Sequence, residues 1–178
     1  MKIELIKRPT DEDWLLCKQC AFETIGKNTN ILPTADWKHR ILAARHSPIR
    51  VLYFTFRLTD IPYWVSVHLC RHVHATPFVR SQRNDRQNDY DRNEAPQNAL
   101  VNMLWHMNAE ELMTIANKRL CGKASRETRE VVREMCKLVM EVMPEFNGLF
   151  VPACMWQGGV CHEMKPCNFR EEAVNEQH

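Results

Sequence analysis

Apolar positions along this chain repeat with two periods, and the switches between them set the expected order of elements. Residues 2–7, KIELIK, alternate and read as a short first strand. Thr10 with Asp13 three residues on resembles a capping arrangement, so a helix is expected from there to about Thr24. Thr34 or Asp36 can cap a second helix to about Arg45, with Pro48 marking its end. In RVLYFTFRL, Arg50 to Leu58, aromatic and β-branched residues dominate, which predicts a strand with one well-buried face. Pro62 suits the first turn of a helix through YWVSVHLCRH.

The stretch NDRQNDYDRNEAPQNA, residues 84–99, is polar, has no apolar period and contains a proline. It reads as a long exposed loop, and loops of that length in compact domains are often functional. Ala99 to Met107 is expected as a strand, with Asn108 placed to cap AEELMTIANKRL. A long helix from about Ser125 to Met143 puts Val131, Val132, Met135, Leu138, Val139 and Val142 on its apolar side before Pro144 stops it. The expected fold class is α+β: one helix-rich domain over residues 1–178 with a small antiparallel or mixed sheet and a cysteine-rich C-terminal segment from about residue 150. No repeat or linker interrupts it.

Composition narrows the functional classes. The chain has 178 residues, 44% hydrophobic and 26% charged, which suits one domain with a sizeable core. No apolar stretch is long enough to span a bilayer, and MKIELIKRPTDEDW carries charge where a signal peptide would be apolar, so no membrane partner and a cytoplasmic location are expected. A net charge of +2 gives no global attraction for polyanions; nucleic acid is not an expected partner and any anion site must be local. In such a setting the eight cysteines are expected to be reduced. Cys17 and Cys20 form a C-x-x-C, but DEDWLLCKQCAF reads as an amphipathic helix that turns both thiols toward the core.

One window concentrates chemistry. Ile61 to Arg83, IPYWVSVHLCRHVHATPFVRSQR, contains no acidic residue and holds His68, Arg71, His72, His74, Arg80 and Arg83. On a helix, His68, Arg71 and His72 share one face at i, i+3 and i+4, and TPFVRSQR then turns off it carrying hydroxyl and guanidinium groups. Such a set fits an oxyanion-rich ligand, because arginine holds phosphate bidentately and a hydroxyl adds a neutral donor. A solvated basic face has the same composition. Metal binding by His68 and His72 lacks a carboxylate in the window, and a Ser–His nucleophile pair lacks a G-x-S-x-G elbow.

Arg71-His72 followed by Thr76, Ser81 and Arg83 resembles the signature R-H-R-x-x-S-x-N-x-x-S-x-R of flavin-dependent thymidylate synthases, with the spacing kept. HSPIRVLYFTF, residues 46–56, is similar to that family's H-x-S/T-P-F-E-H-x-x-F-T-F with one residue fewer. Asn108-Ala109, Lys118-Arg119-Leu120, Ala124 and Glu127-Thr128-Arg129 resemble its helix pair N-A-R…L-R…A-Q-x-E-I-R. The departures are Arg50 for Glu, His68 for Gln, Val73 for Arg, Phe78 for Asn and Glu110 for Arg.

The resemblance implies transfer of a methylene group from methylenetetrahydrofolate to carbon 5 of dUMP, reduced with electrons that NADPH delivers through FAD. It implies Ser81, Arg83, Arg119 and His68 as dUMP-side residues, with Ser81 and Arg119 catalytic, and Ser47, Arg71, His72 and Asn108 as FAD contacts. It also implies a homotetramer with sites shared between subunits. Two other functions stay open: a relative that hydroxymethylates a uridylate, and a non-catalytic module binding nucleotide or nucleic acid. Asn108 can equally be a plain helix cap, and Arg119 a charge favoured at a helix C-terminus. Cys154, Cys161, His162 and Cys167 are a chemically complete zinc set, but their spacing is not that of C-x-x-C zinc modules, so no metal ligand is assigned and reduced cysteines packed in an irregular tail are expected.

Overall fold

The computed structural model describes residues 1–83, 85, 91 and 93–167; parts of the expected 84–99 loop and of the cysteine-rich segment therefore lie outside the described residues. Its elements run β1 (Lys2–Lys7), α1 (Asp11–Glu23), α2 (Ala35–Ala43), β2 (Tyr53–Pro62), α3 (Tyr63–Cys70), β3 (Thr76–Val79), β4 (Leu100–Asn108), α4 (Ala109–Arg119), α5 (Arg126–Val142) and α6 (Ala153–Trp156). The fold is α+β, as expected, and the sheet is wholly antiparallel in the order β1-β2-β4-β3.

Local chemistry accounts for most boundaries. At the start of α1 the Thr10 hydroxyl accepts from the Asp13 amide while the Asp13 carboxylate accepts from the Thr10 amide at 2.8 Å, a reciprocal capping box. Thr34, Asn108 and Ser125 cap α2, α4 and α5 one way only, each side chain accepting from the amide three residues on. The period of two in β2 and β4 buries Phe54, Phe56 and Leu58 with Val101, Met103, Trp105 and Met107 against the helices. Full burial of each such side chain stabilises the fold by ~1.5–3 kcal/mol. The opposite sheet face stays open and carries Tyr53, Leu104 and Phe78, the last two paired across β3 and β4.

Several expectations are corrected. Ser47–Val51 is a 3-10 turn, so the strand begins at Tyr53 and runs on to Pro62 instead of covering Arg50 to Leu58. Pro48 sets that turn, and Leu52 closes it by accepting from the Ala109 amide at 2.8 Å. Pro62 ends β2 in an extended conformation and precedes α3, which stops at Cys70 short of His72. TPFV is the edge strand β3, because Pro77 biases Thr76 toward extended backbone. On α5 the buried face uses Cys136, while Val142 is largely exposed. Cys17 is fully buried and Cys20 half-buried, and burial pushes the Cys17 thiol up to about 12, a setting that suits packing and not redox chemistry. The C-terminal cysteines are half-buried, not buried. Among the described residues no helix is long and apolar enough to cross a membrane.

Candidate active site

The basic window and α4 meet around one imidazole. Arg71 terminates α3, and the next residue, His72, is buried in the turn that leads to β3, its amide donating to the Leu69 carbonyl at 3.1 Å. Opposite it stands α4, whose first turn is fixed by the Asn108 side chain accepting from the Glu111 amide at 2.9 Å. This cap points the buried Glu111 carboxylate at His72, 3.4 Å from Nδ1. From the last turn of the same helix Arg119 donates through Nε to His72 Nε2 at 2.9 Å and through Nη2 to the His68 carbonyl at 2.7 Å. Because Nε2 accepts, the ring proton belongs on Nδ1, facing Glu111. The His68 ring lies edge-on to Trp64 and 3.5 Å from the hydroxyl of the buried Thr128.

The electrostatics of this cluster favour an anion. The two acceptors that Arg119 meets are neutral, so neither cancels its charge. Burial lowers its pKa below the usual guanidinium value, and the nearby Arg71 charge lowers it further. An oxyanion or a carbonyl gaining negative charge would relieve both penalties.

Two of the expected blocks thus converge: His68, Arg71 and His72 from the basic window, with Arg119 and Thr128 from the helix pair α4 and α5. Ser81 and Arg83 do not join them within one chain. Successive β3 residues pair with β4 residues farther from Asn108, from Thr76–His106 to Val79–Met103, so the strand carries Ser81 away from the α4 cap. There the Ser81 hydroxyl accepts from the Arg83 amide at 3.3 Å, and the Arg83 guanidinium grips Asp85 with two bonds of 2.9 and 2.7 Å. That fork is the geometry with which arginine takes a phosphate.

The residues assigned to FAD are divided. Asn108 lines a polar cavity of about 490 Å³ with Arg45, Arg50, His74, Glu110, Glu111 and Thr114. Its guanidinium groups and amide suit a phosphate-bearing cofactor, although Glu110 already holds Arg50 through bonds of 2.5 and 3.3 Å. Ser47, exposed at the head of the 3-10 turn, instead lines a cavity of about 460 Å³ walled by α1 and α2. Two departures from the family pattern explain one another here. The pattern has Glu where Arg50 stands and Arg where Glu110 stands, and in this chain the exchanged pair forms an ion pair.

Glu111 and Asn117 are site residues that the sequence reading did not select. Glu111 had a signal: Asn108-x-x-Glu111 has the spacing of an N-terminal helix cap with a carboxylate three residues on. Asn117 had none, since its partners are a remote guanidinium and a remote carbonyl.

A profile of the family described as thymidylate synthase complementing protein matches residues 85–145. Among solved structures, thymidylate synthase X (ThyX) from Helicobacter pylori with FAD and dUMP superposes with a TM-score of 0.66 at 14% identity, covering 84% of this chain and 97% of that one. A second structure of flavin-dependent thymidylate synthase ThyX from the same organism, complexed with FAD and dUMP, gives 0.63 at 15% identity over 84% and 98%. A UMP/dUMP methylase, PolB from Streptomyces cacaoi bound with 5-Br dUMP, gives 0.65 at 15% identity over 84% and 94%. No curated protein sequence matches significantly. The fold is therefore the one these enzymes share, and the family whose profile matches is the one the motifs resemble.

Proposed function

We propose that this chain is a flavin-dependent thymidylate synthase, converting dUMP to dTMP with methylenetetrahydrofolate as carbon donor and NADPH as reductant. The observation that carries the reading is the meeting of Arg119 with His72 and His68, since residues from separate motif blocks build one half-buried site in which the guanidinium bonds to a ring nitrogen and a carbonyl. FAD, when bound, would supply the reducing electrons; Asn108, Arg71, His72 and Ser47 are the residues we assign to it.

The roles of the chain's own groups follow from their geometry. Arg83, helped by Ser81, would exchange Asp85 for the nucleotide phosphate. Arg119 would donate to a uracil carbonyl oxygen as negative charge develops on the ring, with His72 and Glu111 holding its fork in place and His68 flanking the base. Since Ser81 and Arg83 lie apart from Arg119 in one chain, a complete site needs a second copy, in keeping with a homotetramer. The exposed Tyr53, Phe78 and Leu104 on the open sheet face supply apolar surface for such self-association. In this reading residues 1–178 act as one nucleotide-binding unit in the cytoplasm, with no membrane or nucleic-acid partner.

A second reading concerns the product. A UMP/dUMP methylase superposes as well as the synthases do, and Val73 and Glu110 alter the flavin side of the site, so UMP methylation or uridylate hydroxymethylation are the neighbouring activities. The deciding experiment is FAD titration followed by mass analysis of products from dUMP and from UMP, with and without NADPH. Flavin uptake and an NADPH-dependent methyl product from dUMP are expected; absence of FAD binding would sink the enzymatic reading while leaving the fold intact. Arg83→Ala should weaken dUMP binding roughly 10- to 150-fold, the equivalent of losing ~1.5–3 kcal/mol from a charged hydrogen bond, with FAD binding little changed. Unchanged dUMP affinity in a folded Arg83→Ala protein would remove this loop from the site.

A further inference from the structure

Past Phe146 and Leu149, which join the core, the tail from Cys154 onward half-buries its thiols and leaves its larger apolar side chains in water. Between Cys154 and Cys167 the side chains of Met155, Trp156, Val160 and Met164 are exposed, Met164 completely. The only non-glycine residues of that stretch turned inward are Cys154, Cys161 and Cys167. Hydrophobic burial would choose the reverse, because tryptophan and methionine gain more from leaving water than a thiol does. Gly158 and Gly159, at φ +68° and +88°, reverse the chain between the first two thiols, a conformation that other residues rarely adopt.

The three thiols line one cavity of about 130 Å³, and a fourth, Cys121, two residues past the end of α4, lines it too. The approach is close: a Cβ built on Gly122 would stand 3.3 Å from the Cys167 sulfur. The frame around the cavity is tied down on two sides, by Asn117 donating to the Val151 carbonyl at 2.6 Å and by Arg45 lying 4.2 Å over the Trp156 ring. All four cysteines are free thiols and half-buried, accessible to an ion without being loose in solvent.

We propose that Cys121, Cys154, Cys161 and Cys167 form a tetrathiolate site for one zinc ion, which staples the C-terminal segment to the end of α4. Zinc takes four sulfur ligands tetrahedrally at ~2.3 Å, and four thiols are the complete set. Among the described residues no group of three His, Cys, Asp or Glu is already close enough to share an ion, so binding must draw the thiols together across the cavity. Each thiol releases its proton to solvent as its sulfur bonds the metal, leaving a dianionic centre beside Lys118, which lines the same cavity. His162 also lines the cavity but is exposed, and with four thiols completing the set the proposal leaves it out of the coordination.

The site is independent of the nucleotide reading, and it can be tested without activity. Full-length protein from zinc-supplemented growth, passed through a weak chelator, should retain about one zinc per chain by elemental analysis. Replacement by Co²⁺ should give the intense near-ultraviolet sulfur-to-cobalt charge-transfer band and the visible bands of a tetrahedral thiolate site. Cys121→Ser and Cys161→Ser should each lose most of the metal, while His162→Ala keeps it. Where a serine variant fails to fold, alkylation mapping of the unaltered protein decides: zinc should shield these four thiols, and the exposed Cys70 should label with or without it. Less than about one zinc per ten chains, an iron–sulfur chromophore, a disulfide among the four, or full zinc retention in Cys121→Ser would each overturn the proposal.

Discussion

Asn117 is the joint on which the site-bearing helix and the C-terminal segment turn, and replacing it by alanine tests how they are held. Its side chain is buried in α4; Oδ1 accepts from the Arg45 guanidinium, and Nδ2 donates to the Val151 carbonyl at 2.6 Å. Asn117→Ala removes a hydrogen bond from a charged donor, ~1.5–3 kcal/mol, and one between neutral groups, ~0.5–1.5 kcal/mol. Arg45 is only half-buried and can turn its freed nitrogen to water, so the loss should fall near the lower end, about 2–3 kcal/mol. For a domain of this size that lowers the melting temperature by roughly 4–12 °C. Its Nε already finds no acceptor among the described residues, which leaves the guanidinium dependent on Asn117 and on the Trp156 face. Asn117→Asp separates the two bonds: the carboxylate still accepts from Arg45 but meets the Val151 oxygen with no proton between them. Urea unfolding with an unchanged m-value is the measurement, and a double-mutant cycle with Arg45→Met should return a coupling of at least ~0.5 kcal/mol. If Asn117→Ala cost less than about 0.5 kcal/mol, the joint would be ordinary surface and the reasoning would be wrong.

Three other outcomes are expected. Arg50→Glu and Glu110→Arg should each lower the melting temperature and the combined reversal should restore it; a double variant no better than the worse single one would show that the exchanged pair is incidental. Burial pushes the Cys136 thiol up to about 12, whereas an unfolded thiol titrates near ~8.5, so the folded state keeps its proton longer; stability is full below the unfolded value and falls as pH rises beyond it, by up to ~1.4 kcal/mol per unit. Cys136→Ala should flatten that alkaline slope, and an unchanged slope in urea melts from pH 9 to 11 would count against it, with Cys17 accounting for the remainder. Val73 is 83% exposed, so Val73→Arg, which restores the family's residue, should leave stability within ~0.5 kcal/mol and raise FAD affinity; equal FAD titration curves would detach this position from the cofactor.

What the sequence disclosed follows the range of the forces involved. Helix caps and proline stops act within a few residues, and α1, α2, α4 and α5 formed close to their expected limits. β3 escaped because its four residues are too short to show a period and only five residues separate them from the end of α3. What makes them a strand is pairing with β4, more than twenty residues later, which no local pattern encodes. The 3-10 turn at Ser47–Val51 was hidden likewise, since RVLYFTF satisfies a strand pattern until Leu52 is tied to Ala109.

The candidate site divides along the same line. Residue types were legible, because an acid-free run of arginine and histidine stands out in a chain that is 26% charged. Partnership was not: nothing local says that Arg119 bonds to His72, or that Glu111 closes the other side of that ring. The Arg50 and Glu110 pair makes the point most sharply, since each by itself is a departure from the resembled pattern and only their 2.5 Å contact shows that the two departures form one ion pair. The pair puts both signs of charge on the wall of the cavity beside Asn108, Glu110 from α4 and Arg50 from the 3-10 turn ahead of β2. Any anion entering that cavity would have to compete with Glu110 for the Arg50 guanidinium, a condition set by a pairing across sixty residues that neither residue announces in the sequence.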